Sequence, residues 1–222
     1  MPRNSSHWIE TYKKLGALWI HDGNPKRPHA LLTSGRHSSG YFNSSIITEN
    51  PFIIGEACAD LAEILSYEMS LSSIDHVIGP ALGAVVMSFC MAQRCQVHVA
   101  CHCRASFTEK IASPDGPKMI LRRSSLRPGD RILVVEDVLS TGGSVDRTID
   151  AVVEAGGDVA PLVAVLVNRS GLGTVRGDRR IVSLIDEPMP LWLPEECPLC
   201  GQGSEALRPK DTDHWARLNA AY

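Results

Sequence analysis

The chain has 222 residues, 44% of them hydrophobic, enough to bury a full core as one domain (1–222) with small appendages. Its net charge of −3 and pI near 6.2 supply no general attraction to nucleic acid or anionic membrane, and no apolar run approaches the roughly 18 residues that span a bilayer. Seven cysteines, an odd number, exclude a complete internal disulfide framework, so Cys58, Cys90 and Cys95 read as buried reduced thiols of a cytoplasmic protein.

The first residues, Met-Pro-Arg-Asn-Ser-Ser-His-Trp, lack a signal-peptide core. Residues 8–19 read as an amphipathic helix with Trp8, Tyr12, Leu15 and Trp19 on one face. A turn-rich break over 23–28 leads through Leu31-Leu32 into a polar, glycine-bearing loop, 33–43. Pro51 suits the first position of a helix whose apolar stripe is Ile54, Cys58, Leu61 and Leu65. Residues 75–79 make a short buried strand, 83–94 a small-residue-rich helix, and 96–101 another strand. The polar stretch 102–127 reads as a mobile loop. Strands over 132–135, 161–168 and 181–186 follow, with a helix beginning at Val145. This alternation predicts an α/β fold, a doubly wound, mostly parallel sheet with its sites at the carboxyl ends of the strands. A small N-terminal hood (1–50) and a short C-terminal tail (191–222) flank the core (51–190).

The stretch Arg131-Ile-Leu-Val-Val-Glu-Asp-Val-Leu-Ser-Thr-Gly-Gly-Ser144 carries the most chemistry. Glu136 and Asp137 stand where a buried strand should end, and a hydroxyl-and-glycine turn then opens a helix. Glycines allow close backbone approach to a phosphate, and helix-start amides point at it with the positive end of the dipole. Thr141 and Ser144 can add hydroxyl donors, while the carboxylates suit sugar hydroxyls. Such turns also occur in α/β proteins as plain connections. The lysine of a Walker A loop and the spacing of a dinucleotide fingerprint are both missing. Gly79-Pro-Ala-Leu-Gly83 repeats the arrangement of strand, glycine turn and helix.

These residues resemble the phosphoribosyl pyrophosphate (PRPP) signature of type I phosphoribosyltransferases. The resemblance implies that Glu136 and Asp137 hold the ribose hydroxyls, and that Val138, Leu139, Ser140, Thr141, Gly142, Gly143 and Ser144 wrap the 5-phosphate. Gly79, Pro80, Ala81, Leu82 and Gly83 match the pyrophosphate loop. Leu31-Leu-Thr-Ser-Gly-Arg-His-Ser38 with Tyr41-Phe42-Asn43 is similar to the N-terminal segment of orotate phosphoribosyltransferases. It implies base contacts from Ser34, Gly35, Tyr41 and Phe42, joined by Thr141. Arg169 matches the arginine that pairs with the orotate carboxylate, as a guanidinium fork can do bidentately. Residues 104–123 correspond to a catalytic loop that closes over the site, usually that of a neighbouring subunit. Either Arg104 or Lys110 fits its short basic motif, and Lys118 and Arg122 fit its later cationic positions.

The resemblance thus implies transfer of the 5-phosphoribosyl group from PRPP to orotate, giving orotidine 5-monophosphate and pyrophosphate in pyrimidine biosynthesis. It also implies Mg²⁺ brought in by PRPP rather than held by protein side chains, and a homodimer. Thr33 replaces a lysine of some members, and Ser39-Gly40 departs from the family's usual step. A phosphoribosyltransferase for another base, such as a purine, and a PRPP-sensing regulator without turnover therefore stay open. The tail holds one Cys-x-x-Cys pair, Cys197 and Cys200, whereas zinc ribbons need four ligands. His214, Cys101, His102 and Cys103 are the candidates to complete it. Some bacterial orotate enzymes carry a very similar tail, which implies no catalytic metal there.

Overall fold

A computed structural model describes residues 1–97, 102–114 and 116–222. The elements in chain order begin with helix α1 (Ser5–Lys14), strands β1 (Leu18–Ile20), β2 (His29–Leu31), β3 (His37–Ser38) and β4 (Gly40–Phe42), and helices α2 (Ser44–Thr48) and α3 (Pro51–Ser66). Next come β5 (His76–Pro80), α4 (Val85–Val97), β6 (Arg104–Ile111), β7 (Lys118–Ile120), β8 (Arg131–Leu139), α5 (Gly143–Glu154), β9 (Asp158–Asn168), β10 (Thr174–Val175) and β11 (Arg179–Asp186). The chain closes with α6 (Pro198–Gly201), β12 (Ala206–Leu207) and α7 (Thr212–Leu218). These gather into two compact units, Met1–Trp8 with Thr48–Glu187, and Ile9–Ile47 with Pro188–Tyr222. The expected hood and tail are therefore largely one body.

Among the described residues, the larger unit holds a seven-stranded sheet in the order β10-β11-β9-β8-β5-β6-β7. Strands β11, β9, β8, β5 and β6 run parallel, and β10 and β7 close the edges antiparallel. Ile132 to Val135 and Val163 to Val167 are buried without alternation, because strands covered on both faces need apolar groups at every position. Val145, Ile149 and Val152 of α5 pack on Ile78, Ile132, Val134, Val163 and Val165. Burying each of these side chains contributes roughly 2 kcal/mol. Helix α3 starts at Pro51 as expected, with Asn50 Oδ1 accepting from the amides of Phe52 and Ile53. Its stripe Ile54, Cys58, Leu61 and Leu65 is fully buried. Successive strands step from β5 to β6 in one direction and from β8 to β9 to β11 in the other. The reversal lies between β5 and β8, where open α/β sheets offer a crevice at their carboxyl ends.

The smaller unit has a two-stranded sheet, β1-β4, and a three-stranded one, β12-β2-β3. Its core is Trp19, Ala30, Leu32, Leu207 and Leu218, flanked by Tyr41, Leu191 and Trp215. Trp19 Nε1 donates to the Leu218 carbonyl at 2.7 Å, and the His29 amide donates to the Glu205 carbonyl at 2.8 Å. The tail thus supplies a strand and a helix to this unit.

Three expectations are corrected. The first helix stops at Lys14, and Trp19 lies in β1. Gly16 adopts φ 66° and donates to the Lys13 carbonyl, while the Ala17 amide reaches the Tyr12 carbonyl, a glycine stop that period counting overlooks. The strand expected over 96–101 is not seen at its start, since Gln96 and Val97 belong to α4, and 98–101 fall outside the described residues. The stretch 102–127 is not simply a loop: β6 and β7 form an antiparallel hairpin with Lys110 opposite Met119 and Ile111 opposite Lys118.

Candidate active site

Strand β8 runs to Leu139, so Glu136 and Asp137 belong to its last turns of pleat rather than to the loop beyond. Glu136 is opposite Val165 on β9 and 7% exposed, and Asp137 is half-buried. After the strand, Ser140 and Thr141 lead to Gly142, whose φ of 79° is the left-handed region where a side chain is strained. Gly142 caps α5, and no side chain caps the helix among the described residues. Helix-start amides in such a place are donors for an anion.

Beyond β5, the loop Gly79–Gly83 comes to the same end of the sheet. A Cβ on Gly83 would stand 2.5 Å from Asp137 Oδ1, so the glycine lets its backbone lie directly against that carboxylate. A Cβ on Gly79 would meet Ala84 Cβ at 2.5 Å and the Val135 carbonyl oxygen at 2.9 Å. The Ala81–Leu82 peptide is cis, and the Ala81 amide donates to the Thr108 carbonyl at 2.8 Å. Leu82 is exposed. The two glycine turns and the acidic pair therefore meet at the point where strand order reverses.

Parallel pairing of β5 with β6 decides the register of the basic segment. Pro80 is opposite Thr108, which places Lys110 just beyond the level of the pyrophosphate-type loop, on the exposed hairpin. The structure does not bring Arg104 to this end. It is opposite His76, six residues earlier on the strand, or roughly 20 Å away at 3.3 Å per residue. Its guanidinium pairs with Asp130 and donates to the Ser125 carbonyl at 3.1 Å. Burial tends to raise the Asp130 carboxyl, but the Arg127 amide and Arg104 outweigh it and hold the group below its usual value. Lys118 pairs with Glu154 of α5 at 2.8 Å, and Arg122 is exposed beyond the hairpin.

Arg169 follows β9, and its amide donates to the Leu139 carbonyl at 2.9 Å, level with the phosphate-type turn. The fork expected to project into the crevice is instead buried, with Arg169 1% exposed. Ser34, Gly35, Tyr41 and Phe42 belong to the smaller unit. Ser34 and Gly35 are exposed at the tip of the β2–β3 hairpin, where Gly35 adopts φ 81°. Phe42 is a core residue packed edge-on against Tyr12 at 5.3 Å between ring centroids, so it does not present its face to a ligand. Tyr41 is half-buried against Trp215.

The Cys197–Cys200 pair also finds a different setting from the one expected. The amide of Arg208 donates to His214 Nδ1, which lies beside Asp211, while the two thiols group with His29 and His37. Cys103 is in the larger unit, near Cys95. Burial pushes His29 down to about 4, so its ring is neutral at ordinary pH. Sequence spacing does not reveal the two histidines, since His29 is 168 residues from Cys197, and it is the pairing of β12 with β2 and of Trp192 with His37 that brings the tail to them.

The phosphoribosyl transferase domain family matches residues 45–194. The chain is 36% identical over 207 residues to the orotate phosphoribosyltransferase of Desulforamulus reducens, covering 93% of this chain and 96% of the relative. It is 34% identical over 203 residues to that of Thermotoga petrophila, covering 90% and 95%. Among solved structures, orotate phosphoribosyltransferase from Aeropyrum pernix superposes with a TM-score of 0.57 at 26% identity, covering 79% of this chain and 92% of that one. With a signature turn, an acidic pair and a second glycine loop assembled at one switch point, and with these relatives spanning nearly its whole length, the chain belongs to the phosphoribosyltransferase family, in the branch of the orotate phosphoribosyltransferases.

Proposed function

We propose that the chain transfers the 5-phosphoribosyl group of PRPP to orotate, forming orotidine 5-monophosphate and releasing pyrophosphate. The observation that carries this is the Gly83 backbone lying against the Asp137 carboxylate. It joins a loop suited to the departing pyrophosphate to a strand end suited to ribose, so one PRPP molecule has both of its phosphate contacts and its sugar contacts in one place. Substitution at the anomeric carbon develops oxocarbenium character and needs no side-chain nucleophile. Catalysis then consists of alignment and of stabilising separating charge. Glu136 and Asp137 hold the ribose hydroxyls near the growing positive charge. The Ser140–Ser144 turn fixes the 5-phosphate on α5, and Lys110, exposed on the hairpin, brings positive charge toward the leaving group.

Orotate as the base is supported by the relatives, orotate phosphoribosyltransferases that match over nearly the whole chain. Mg²⁺ is part of the proposal: carried in on PRPP rather than held by protein side chains, it would neutralise the pyrophosphate oxygens as they leave. A homodimer is proposed as well, supported by the exposed apolar side chains Leu82, Val86 and Phe89 at and after the Gly79–Gly83 loop. No helix among the described residues is long and apolar enough to cross a membrane, and the free cysteines suit the cytoplasm as the place of action. Incubation with PRPP and Mg²⁺, beside orotate, uracil, xanthine and adenine in parallel, tests the assignment. Orotate is expected to be consumed, and turnover of a different base in its place would overturn the choice of substrate.

A further inference from the structure

The smaller unit brings His29, His37, Cys197 and Cys200 together so that one ligand atom from each lies within 4.8 Å of all the others. His29 Nε2 stands 2.8 Å from His37 Nδ1, 3.6 Å from Cys197 Sγ and 3.5 Å from Cys200 Sγ, and Cys200 Sγ stands 3.3 Å from His37 Nδ1. Around a tetrahedral zinc, bonds of about 2.0–2.3 Å require ligand atoms roughly 3.3–3.8 Å apart. Three of the four distances fall in or at the edge of that range, and the fourth opens by about half an ångström to reach it. We propose that His29 Nε2, His37 Nδ1, Cys197 Sγ and Cys200 Sγ form a structural zinc site that locks the carboxyl-terminal tail onto the β2–β3 hairpin.

The surrounding hydrogen bonds select the ligand form of His29. Ser204 Oγ donates its single proton to the Arg27 carbonyl at 2.6 Å, and therefore accepts at 2.9 Å from His29 Nδ1–H. With the proton on Nδ1, the Nε2 lone pair faces His37 and the two sulfurs. A second partner that fixes the tautomer of a ligating histidine is the usual support of a metal site. The cysteine turn is likewise formed in advance: the Gly201 amide donates to the Cys197 carbonyl at 3.2 Å and the Gly203 amide to the Cys200 carbonyl at 3.0 Å. Two thiolates and two neutral imidazoles cancel the charge of one divalent zinc, so the site can be buried without leaving a net charge. His29, His37 and Cys197 are buried, and Cys200 lies at the solvent edge.

The donor set selects the metal. Two sulfurs and two ring nitrogens in a closed tetrahedron suit zinc, while magnesium and calcium require oxygen. Four protein ligands leave no open position for water or substrate, so the role is structural. The unit needs such support, because its core is only a handful of buried side chains drawn from two chain segments. The site does not depend on which base the enzyme uses.

Elemental analysis of the purified full-length chain is expected to find about one zinc per chain after dialysis against a weak chelator. Exchange with Co²⁺ should give an intense tetrahedral visible spectrum with a sulfur-to-cobalt charge-transfer band. Both Cys197 and Cys200 should resist alkylation until a strong chelator removes the metal, whereas zinc removal should lower the melting temperature by several degrees. Cys200→Ser and His37→Asn are expected to reduce bound zinc at least fivefold, and Cys58→Ser to leave it unchanged. Should either variant fail to fold, the cobalt spectrum and alkylation pattern of the unaltered chain decide. A metal-free chain with an unshifted melting temperature, a cobalt spectrum lacking the thiolate band, or a Cys197–Cys200 disulfide in freshly purified protein would each overturn the site.

Discussion

Asp137 has two tasks in this structure, each set by the atoms around it. Its carboxylate fills the space that Gly83 leaves, and in the proposed reaction it holds the ribose beside the reacting carbon. Asp137→Asn keeps the shape and removes the charge, so kcat should fall about 10²-fold or more while the melting temperature stays within about a degree or two. Unchanged turnover in the folded variant would remove the carboxylate from the mechanism. The two basic candidates separate in the same way. Lys110→Ala should lower kcat at least tenfold with little effect on stability, since its side chain is exposed on the hairpin. Arg104→Ala should instead cost about 1 kcal/mol of stability through the partly exposed pair with Asp130, with kcat changed less than twofold. Steady-state kinetics beside chemical unfolding of both variants distinguishes them. The sequence showed two basic residues six apart, and strand pairing puts Lys110 rather than Arg104 at the end of the sheet that bears the Gly79–Gly83 loop.

Loops and strands carry the next level of the design. The Gly79–Gly83 loop has two glycines that are required for different reasons. Gly79→Ala collides with backbone, the Val135 carbonyl oxygen, and with Ala84 Cβ, so it should destabilise the fold by roughly 2 kcal/mol or more. Gly83→Ala collides with the Asp137 carboxylate, a group able to turn away, so it should cost less stability and raise KM for PRPP several-fold. Comparable losses of stability in the two variants, with KM unmoved, would contradict this division. The glycines themselves were legible in the sequence as punctuation between strand and helix. Their separate roles were not, because those depend on which atoms lie opposite.

For the molecule as a whole, acid is a predictable weakness. His76 is 1% exposed at the start of β5, and burial first, then the charge of Arg104, pushes it down to about 4. The unfolded chain binds a proton there below about 6.5, and the folded chain does so only below about 4. Stability from this group is thus complete above 6.5 and falls as pH drops through that window, by a ceiling of roughly 3 kcal/mol. Urea unfolding at pH 7.5 and pH 5 should show a smaller acid-side loss for His76→Gln than for the unaltered chain. Equal losses would assign the acid sensitivity elsewhere.

The sequence alone determined the strand β8 with its turn and helix, the Pro51 start of α3, and the alternation that makes a parallel sheet, because these are local. Apolar runs, capping residues and glycines act on their own neighbours in the chain. Tertiary structure decided everything that depends on a partner distant in sequence. It put Phe42 in a core and buried Arg169, and it turned a polar stretch into the hairpin that bears Lys110. It also joined His29 and His37 to a cysteine pair in the tail, through β12 lying beside β2. Those outcomes follow from pairing and burial between segments, energies that no window along one chain can contain.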